Sequence, residues 1–366
     1  MKSKDYQTKK YCQMNKAEFP KITFGIIVLN GEPFTRYCLR SIYPFAYEII
    51  VVEGGHVDAR SVCTPDGHSV DGTLESLYKF KKEEDTENKL TIVTKEGFWP
   101  KKDELGNDRT PQSRAYAERA KGDYLWQVDI DEFYRHEDMM KVLNLLSVNP
   151  EITAVTFPTY TFWGDINYIA DSWALRRGGI YYHRLFKWSE KYRYLTHEPP
   201  TVVDENGIDL RTKHWITGEM MRKNKLFMYH YSLLFPWQVE QKVKVYRDEK
   251  PDSCSELIQW AENNYFKLGN PFRVHNIYQL PSWLERFHGE HPEQIKCLMN
   301  DIKNGKVDAK LRRTDDIDVL VDSIGYRLRI IILKIEDPLK QFATQLKRIK
   351  NIPNRLRKVL LKNKIG

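Results

Sequence analysis

The chain has 366 residues, of which 41% are hydrophobic and 30% charged, and a net charge of +8. That content supports a substantial core and reads as globular, in one large domain or two smaller ones. No apolar run is long enough to span a bilayer and the first twenty residues carry no apolar leader segment, which argues against an integral membrane or secreted protein. Cys12, Cys38, Cys63, Cys254 and Cys297 are odd in number and lack metal-ligand spacing, so they fit reduced thiols in a cytoplasm.

Residues 1–20 read as a polar arm. Residues 22–29 form a continuous β-prone run, the pattern of a strand buried on both faces of a parallel sheet. Asn30-Gly31-Glu32-Pro33 turns the chain, residues 34–42 have helical spacing, and residues 48–52 make a second buried strand that ends in Glu53-Gly54-Gly55. Strand, turn, helix, strand is a βαβ unit whose loops gather at the carboxyl edge. Residues 56–72 read as loop, and Asp71-Gly72-Thr73 opens a helix running to Lys82. A third strand covers 90–94. After a loop rich in Gly, Pro and charge, Pro111 stands near the first turn of a helix ending at Ala120.

The next strand, Tyr124-Leu125-Trp126-Gln127-Val128, runs into Asp129-Ile130-Asp131-Glu132. Carboxyl ends of parallel strands open onto the ligand crevice of an α/β fold. Residues two apart in an extended segment point the same way, so Asp129 and Asp131 share an edge, and paired hard oxygens suit Mg2+ or Mn2+ carrying phosphate. The plainer alternative is a strand followed by a solvated acidic turn.

The second half is aromatic-rich, with Tyr160, Phe162, Trp163, Trp173, Tyr181 and Trp237 among residues divided between core and a sugar-stacking groove. Helices are expected over 258–268 and 282–300, separated by Gly269-Asn270-Pro271. Phe287-His288-Gly289-Glu290-His291-Pro292 reads as a helix-ending loop rather than a metal pair. Beyond Tyr326 twelve lysines and arginines face only Glu336 and Asp337, so this tail holds about as much excess charge as the whole chain. Asp337-Pro338 caps a helix whose apolar positions Leu339, Phe342, Leu346 and Ile349 recur among basic residues, a pattern that suits an anionic membrane surface. The alternatives are a helix packed back on the body and a nucleic-acid-binding tail, but no nucleic-acid recognition module is present.

Val28-Leu29-Asn30-Gly31-Glu32, the run from Glu48 to Gly55, Asp71-Gly72-Thr73, Ser113-Arg114-Ala115 before Ala120-Lys121-Gly122-Asp123-Tyr124, and Asp129-Ile130-Asp131-Glu132 follow one another in an order and spacing that resembles family 2 glycosyltransferases of the GT-A fold. The resemblance covers roughly residues 21–135. Further on, His183-Arg184-Leu185-Phe186 with Thr196-His197-Glu198 is similar to a motif of lipopolysaccharide-core transferases, and Met228-Tyr229-His230-Tyr231-Ser232 closes the domain as a strand with a central His. There are two departures: Glu53 replaces the family's usual Asp, and about fifteen residues separate Gly55 from Asp71 where the family has few.

The resemblance implies an α/β GT-A fold, a mostly parallel sheet flanked by helices, over residues 21–235, followed by a helical extension at 236–325 and the basic tail at 326–366. It implies a metal-dependent, inverting transfer from a nucleotide diphosphate sugar to a hydroxyl of a glycan or lipid-linked glycan; the cysteines and the basic tail point separately to a cytoplasmic protein peripheral at the inner face of a membrane. Asp129, Asp131 and His230 would hold Mn2+ (or Mg2+). Glu198 is the implied base, with Asp165 and Asp171 as rivals, since the attacking hydroxyl must lose a proton. Asn30, Glu32, Glu53, Asp71, Arg114, Asp129 and Arg184 fall on the donor side. A sugar nucleotidyltransferase is the first rival, although Asn30-Gly31-Glu32-Pro33 is not its Gly-rich basic loop; the second is a non-catalytic carbohydrate-binding or membrane-associated scaffold.

Overall fold

The computed structural model describes residues 19–336 apart from 105, 108, 173–174, 176–181, 250–254 and 276–280. Most of the polar arm, the tail from residue 337, Trp173, Tyr181, Cys12 and Cys254 therefore lie outside the described residues. Alternating elements open the chain: β1 (Ile22–Val28), α1 (Thr35–Ile42), β2 (Glu48–Glu53), α2 (Thr73–Glu83), β3 (Leu90–Val93), α3 (Thr110–Ala117) and β4 (Tyr124–Gln127). They are followed by β5 (Glu132–Phe133), α4 (His136–Val148), β6 (Ala154–Thr156), β7 (Thr159–Trp163), β8 (Asp165–Asp171), β9 (His183–Lys187), β10 (Arg193–His197), β11 (Pro200–Val203), β12 (Trp215–Ile216), α5 (Gly218–Lys223) and β13 (Met228–Leu233). The last are α6 (Pro236–Glu249), α7 (Ser255–Trp260), β14 (Trp283–Arg286), α8 (Glu293–Lys303) and α9 (Asp315–Asp322), and residues 324–336 are also helical.

Seven strands form the main sheet in the order β12-β6-β9-β4-β1-β2-β3. The strands β4, β1, β2 and β3 are mutually parallel, as their apolar runs predict, and β9 is antiparallel to both β4 and β6. This is the expected mixed, mostly parallel sheet flanked by helices. Phe24 of β1 stacks on Trp126 of β4 at 5.4 Å between ring centroids, and Trp126 stacks in turn on Phe157 at 5.3 Å. All three are at most 1% exposed, and each such side chain contributes about 1.5–3 kcal/mol of burial. Helix α3 lies directly on β1 because position 25 is Gly: a Cβ there would stand 2.4 Å from the Tyr116 ring.

A second, five-stranded sheet has the order β14-β8-β7-β13-β5. Its edge strand corrects two expectations. Residues 282–300, read as one helix, divide into β14 and α8, and the segment 236–325 is consequently not helical throughout. Trp283 and Leu284 are buried while Glu285 and Arg286 are not, and the four residues pair antiparallel with Tyr168–Asp171 of β8. That hydrogen-bonding partner, more than a hundred residues away in sequence, overrides local helical spacing. Residues 258–268 are helical but change type, with α7 giving way to a π-helical turn over Ala261–Phe266. Tyr326, Ile330 and Leu333 pack with Trp163, Trp260 and Trp283 in a core beside this sheet. Among the described residues no helix is long and apolar enough to cross a membrane.

Candidate active site

A cleft of about 560 Å³ opens beyond the carboxyl ends of β1, β2 and β4, and Asp129 and Asp131 both line it. The two acids sit in a tight turn rather than an extended edge, because Glu132 N–H donates to the Asp129 carbonyl at 2.9 Å and Asp129 N–H donates to Glu132 Oε2 at 3.2 Å. Strand β5 leaves this turn and pairs with β13 in a register that sets His230 opposite Glu132. Tyr231 N–H also donates to the Asp131 carbonyl at 2.9 Å. Two backbone ladders thus bring His230 Nε2 to 3.5 Å from Asp131 Oδ1. Gln238 Nε2 of α6 donates to Asp131 Oδ2 at 3.4 Å.

Asp129 has a different partner. Strand β9 is registered on β4 so that Leu185 faces Trp126, and the next side chain, Arg184, reaches Asp129 Oδ2 at 2.7 Å and also bonds Glu132 Oε1. Burial alone would raise the Asp129 carboxyl, but Arg184, with His197, His230 and Arg109 around it, outweighs that and holds it below the usual range. Glu132, fully buried, is pushed up to about 7 by burial despite Arg184. Arg184 is therefore committed to two carboxylates, while its Nε is buried without a hydrogen-bond partner.

Three cleft residues carry no motif signal. Arg109, at the turn before α3 with φ 55°, pairs through Nη1 with Glu198 Oε1 at 3.2 Å. Lys242 of α6 donates to the Ser232 carbonyl at 3.2 Å; burial lowers its pKa, with Asp131 and Asp129 close enough to oppose that. His275 is buried in the cleft wall, and burial pushes its imidazole down to about 3. Nothing local in the sequence singles out Lys242, and nothing in it pairs residue 109 with residue 198.

The donor-side candidates separate. Asn30 and Glu53 stand at the ends of β1 and β2, but residues 56–72 fold over them and use their polar groups. Asn30 Nδ2 donates to the Val62 carbonyl at 2.7 Å, its Oδ1 accepts from Val70 N–H at 2.8 Å, and its φ of 53° holds the turn. Glu53, with no exposed surface, accepts from Ser69 N–H and Ser69 Oγ, both at 2.8 Å, and lies 2.7 Å from His68 Nδ1. The extra stretch between Gly55 and Asp71 is thus a cap on the sheet edge, and a Glu is long enough to reach it. Asp71 caps the start of α2, accepting from Thr73 N–H at 3.0 Å and from Glu32 N–H at 2.9 Å. Glu32 turns inward; burial raises its carboxyl, and neither it nor Asp71 lines the cleft.

Arg114 faces a separate groove of about 840 Å³, pairing with Asp103 at 2.9 Å and donating through Nε to the Tyr194 carbonyl at 3.1 Å. Asp165 lies in the β7–β8 hairpin, where its carboxylate accepts from Asn167 N–H at 2.8 Å, and it is not part of the cleft wall. Asp171, at the end of β8, is buried and also outside the cleft. Glu198 does line it, beside His197, whose Nδ1 lies 2.8 Å from Ser113 Oγ and whose imidazole burial pushes down to about 4. Among the described residues no three His, Cys, Asp or Glu side chains are gathered as a ready metal site.

No family model matches the chain, and no curated protein matches it. Among solved structures, the 1–349 fragment of S. aureus TarS is similar over 69% of this chain and 74% of that one, at 12% identity and a TM-score of 0.34. The mannosyltransferase PcManGT from Pyrobaculum calidifontis, in complex with GDP-Man and Mn2+, is similar over 83% and 87%, at 14% identity and a TM-score of 0.34. Glucosyl-3-phosphoglycerate synthase from Mycobacterium tuberculosis, in complex with Mn2+, UDP and glucosyl-3-phosphoglycerate, is similar over 40% of this chain and 45% of its own, at 17% identity and a TM-score of 0.27.

Proposed function

We propose that this chain is a glycosyltransferase that moves a sugar from a nucleotide diphosphate sugar to a hydroxyl of a glycan or lipid-linked glycan. The observation that carries the reading is one cleft at the carboxyl edge of a mostly parallel sheet that joins Asp129, Asp131 and His230 to Arg109, Lys242 and Glu198. Departure of a nucleoside diphosphate loads negative charge on its oxygens, and cations in a water-poor cleft stabilise that charge as it develops. Arg109 and Lys242 supply it here. Arg184 acts indirectly, fixing the Asp129 carboxylate.

The donor set fits a divalent cation that arrives with the nucleotide. Asp131 Oδ1 and His230 Nε2 are 3.5 Å apart, close enough to share one ion. With Asp129 paired to Arg184, Asp131 and His230 are the residues that would hold the ion, and a mixed carboxylate and imidazole set suits Mn2+ better than Mg2+. Bound there, the ion would neutralise charge on the leaving diphosphate. Glu198 would accept the proton of the attacking hydroxyl, which requires its pairing with Arg109 to open when Arg109 turns to the diphosphate. A single displacement of this kind inverts the anomeric centre. Glu53 lies outside the cleft and the Asn30 side chain, although at the cleft wall, is engaged by residues 56–72, so the base would be read by the neighbouring wall at Gly54, Gly55, His56 and Ala59. An acceptor carried on lipid would bring the basic C-terminal segment to a membrane.

The same engagement of Asn30 and Glu53 favours, as a second reading, a non-catalytic scaffold that retains the cleft. Thermal unfolding against UDP, GDP, CDP and dTDP, with and without Mn2+, separates the two. A ligand that binds only the folded state raises Tm by mass action, with about 2.7 kcal/mol of stabilisation at a hundred times Kd. The expected result is a Mn2+-dependent rise with one nucleotide, lost in Asp131→Ala. No rise with any nucleotide would favour the scaffold.

A further inference from the structure

The helix of residues 324–336 has two apolar faces. One is packed: Tyr326, Ile330 and Leu333 are buried in the core beside the second sheet. Leu284 N–H donates to the Tyr326 hydroxyl at 2.8 Å and Lys334 pairs with Glu285 at 2.7 Å, so the helix is tied to β14. The other face carries Ile324, Leu328, Ile331 and Ile335, which are 76%, 56%, 53% and 58% exposed. Their spacing of four, three and four residues makes one continuous stripe on a helix. Isolated exposed hydrophobes are ordinary, whereas a contiguous apolar strip anchored to the body marks an interaction surface.

Charge selects the occupant. The sequence beyond residue 336 carries Lys340, Lys347, Arg348, Lys350, Arg355, Arg357, Lys358, Lys362 and Lys364 against the single acid Asp337. A second copy docked on the stripe would bring an equally basic segment toward the first, and the two would repel. An anionic bilayer instead offers the stripe an acyl boundary and the basic segment a layer of phosphate. We propose that the exposed stripe of helix 324–336 is a docking surface for an anionic lipid bilayer. The sequence alone leads one to expect membrane contact through the basic tail at 326–366, with its apolar spacing from Leu339 onward; the stripe of helix 324–336 is a distinct surface, anchored to the folded body, and fixes which side of the protein meets the lipid. It does not depend on the reading of the cleft.

The test is flotation of the full chain with vesicles of phosphatidylcholine alone and of phosphatidylcholine mixed with phosphatidylglycerol. Binding to the mixed vesicles only is expected, and Leu328→Glu/Ile331→Glu should lower the bound fraction about tenfold or more while leaving Tm and nucleotide-dependent stabilisation unchanged. Absence of flotation with the anionic vesicles would overturn the proposal, as would flotation that the double variant leaves intact. A fall in Tm of the vesicle-free variant would also overturn it, because the stripe would then be covered by the chain's own residues 337–366. A dimer in sedimentation velocity that the variant abolishes would assign the stripe to a second copy. Flotation and sedimentation do not involve the donor cleft, so failed docking leaves nucleotide binding as an independent question.

Discussion

Arg109 Nη1 lies 3.2 Å from Glu198 Oε1, an ion pair that joins the turn before α3 to the loop between β10 and β11 at the mouth of the cleft. Both partners are partly exposed, so the pair itself adds little stability. Its consequence is for ligand binding and proton transfer.

If Glu198 takes the proton of the attacking hydroxyl, Glu198→Gln should lower kcat by about 10²- to 10⁴-fold with little change in nucleotide Kd. Arg109→Ala should do the reverse at the binding step, weakening the nucleoside diphosphate with a loss of roughly 1.5–3 kcal/mol for a charge-assisted hydrogen bond. Steady-state kinetics beside calorimetric titration of the nucleotide separates the two. Equal losses of affinity in both variants would remove Glu198 from the proton-transfer role.

Arg184 is nearly fully buried between Asp129 and Glu132. Arg184→Ala leaves the ionised Asp129 carboxylate, and the buried Glu132 carboxyl beside it, without their shared cation, which costs about 3–5 kcal/mol. Arg184→Met with Glu132→Leu removes both charges and should recover most of that stability, though not nucleotide binding, since Asp129 loses its anchor. Urea unfolding of the three proteins checks the ordering.

His183 and His291 make stability fall on the acid side. Burial pushes both imidazoles down to about 4 from an ordinary 6.5, and their Nδ1 atoms lie 2.6 Å from Thr156 Oγ1 and 2.9 Å from Tyr231 Oη. The unfolded chain binds these protons first. Their contribution is therefore complete above pH 6.5 and is lost as pH falls toward 4, by up to ~3 kcal/mol for each at 1.36 kcal/mol per pH unit. His183→Gln should flatten the decline of stability between these limits, measured by denaturant unfolding at a series of pH values.

Gly55 holds the insertion in place. A Cβ at this position would stand 2.4 Å from Cys63 Sγ and 3.2 Å from Leu29 Cδ2. Gly55→Ala should destabilise the protein by about 1–3 kcal/mol through overpacking. Adding Cys63→Ala removes the nearer atom and should restore part of the loss, which a pair of thermal melts would register.

Several features were legible in the sequence because they are local. The apolar runs at 22–28, 48–53 and 124–127 specify buried parallel strands whatever surrounds them, and parallel strands deliver their carboxyl-end residues to one edge. Asp129 and Asp131 reach the cleft for that reason. The three-dimensional packing decided what these residues touch. Asn30 and Glu53, also at strand ends, are taken up by residues 56–72, and a loop gives no periodic signal from which its resting place could be read. Arg109 and Glu198 meet across 89 residues, and the β5–β13 register brings His230 to Asp131 across a similar span. Strand β14 exists because β8 offers it a free edge, against the helical spacing of its own residues. Local pattern fixes which segments are strands and which ends carry acids; which charges are paired, buried or left to a ligand is set by contacts between segments distant in the chain, and no pattern within one segment encodes them.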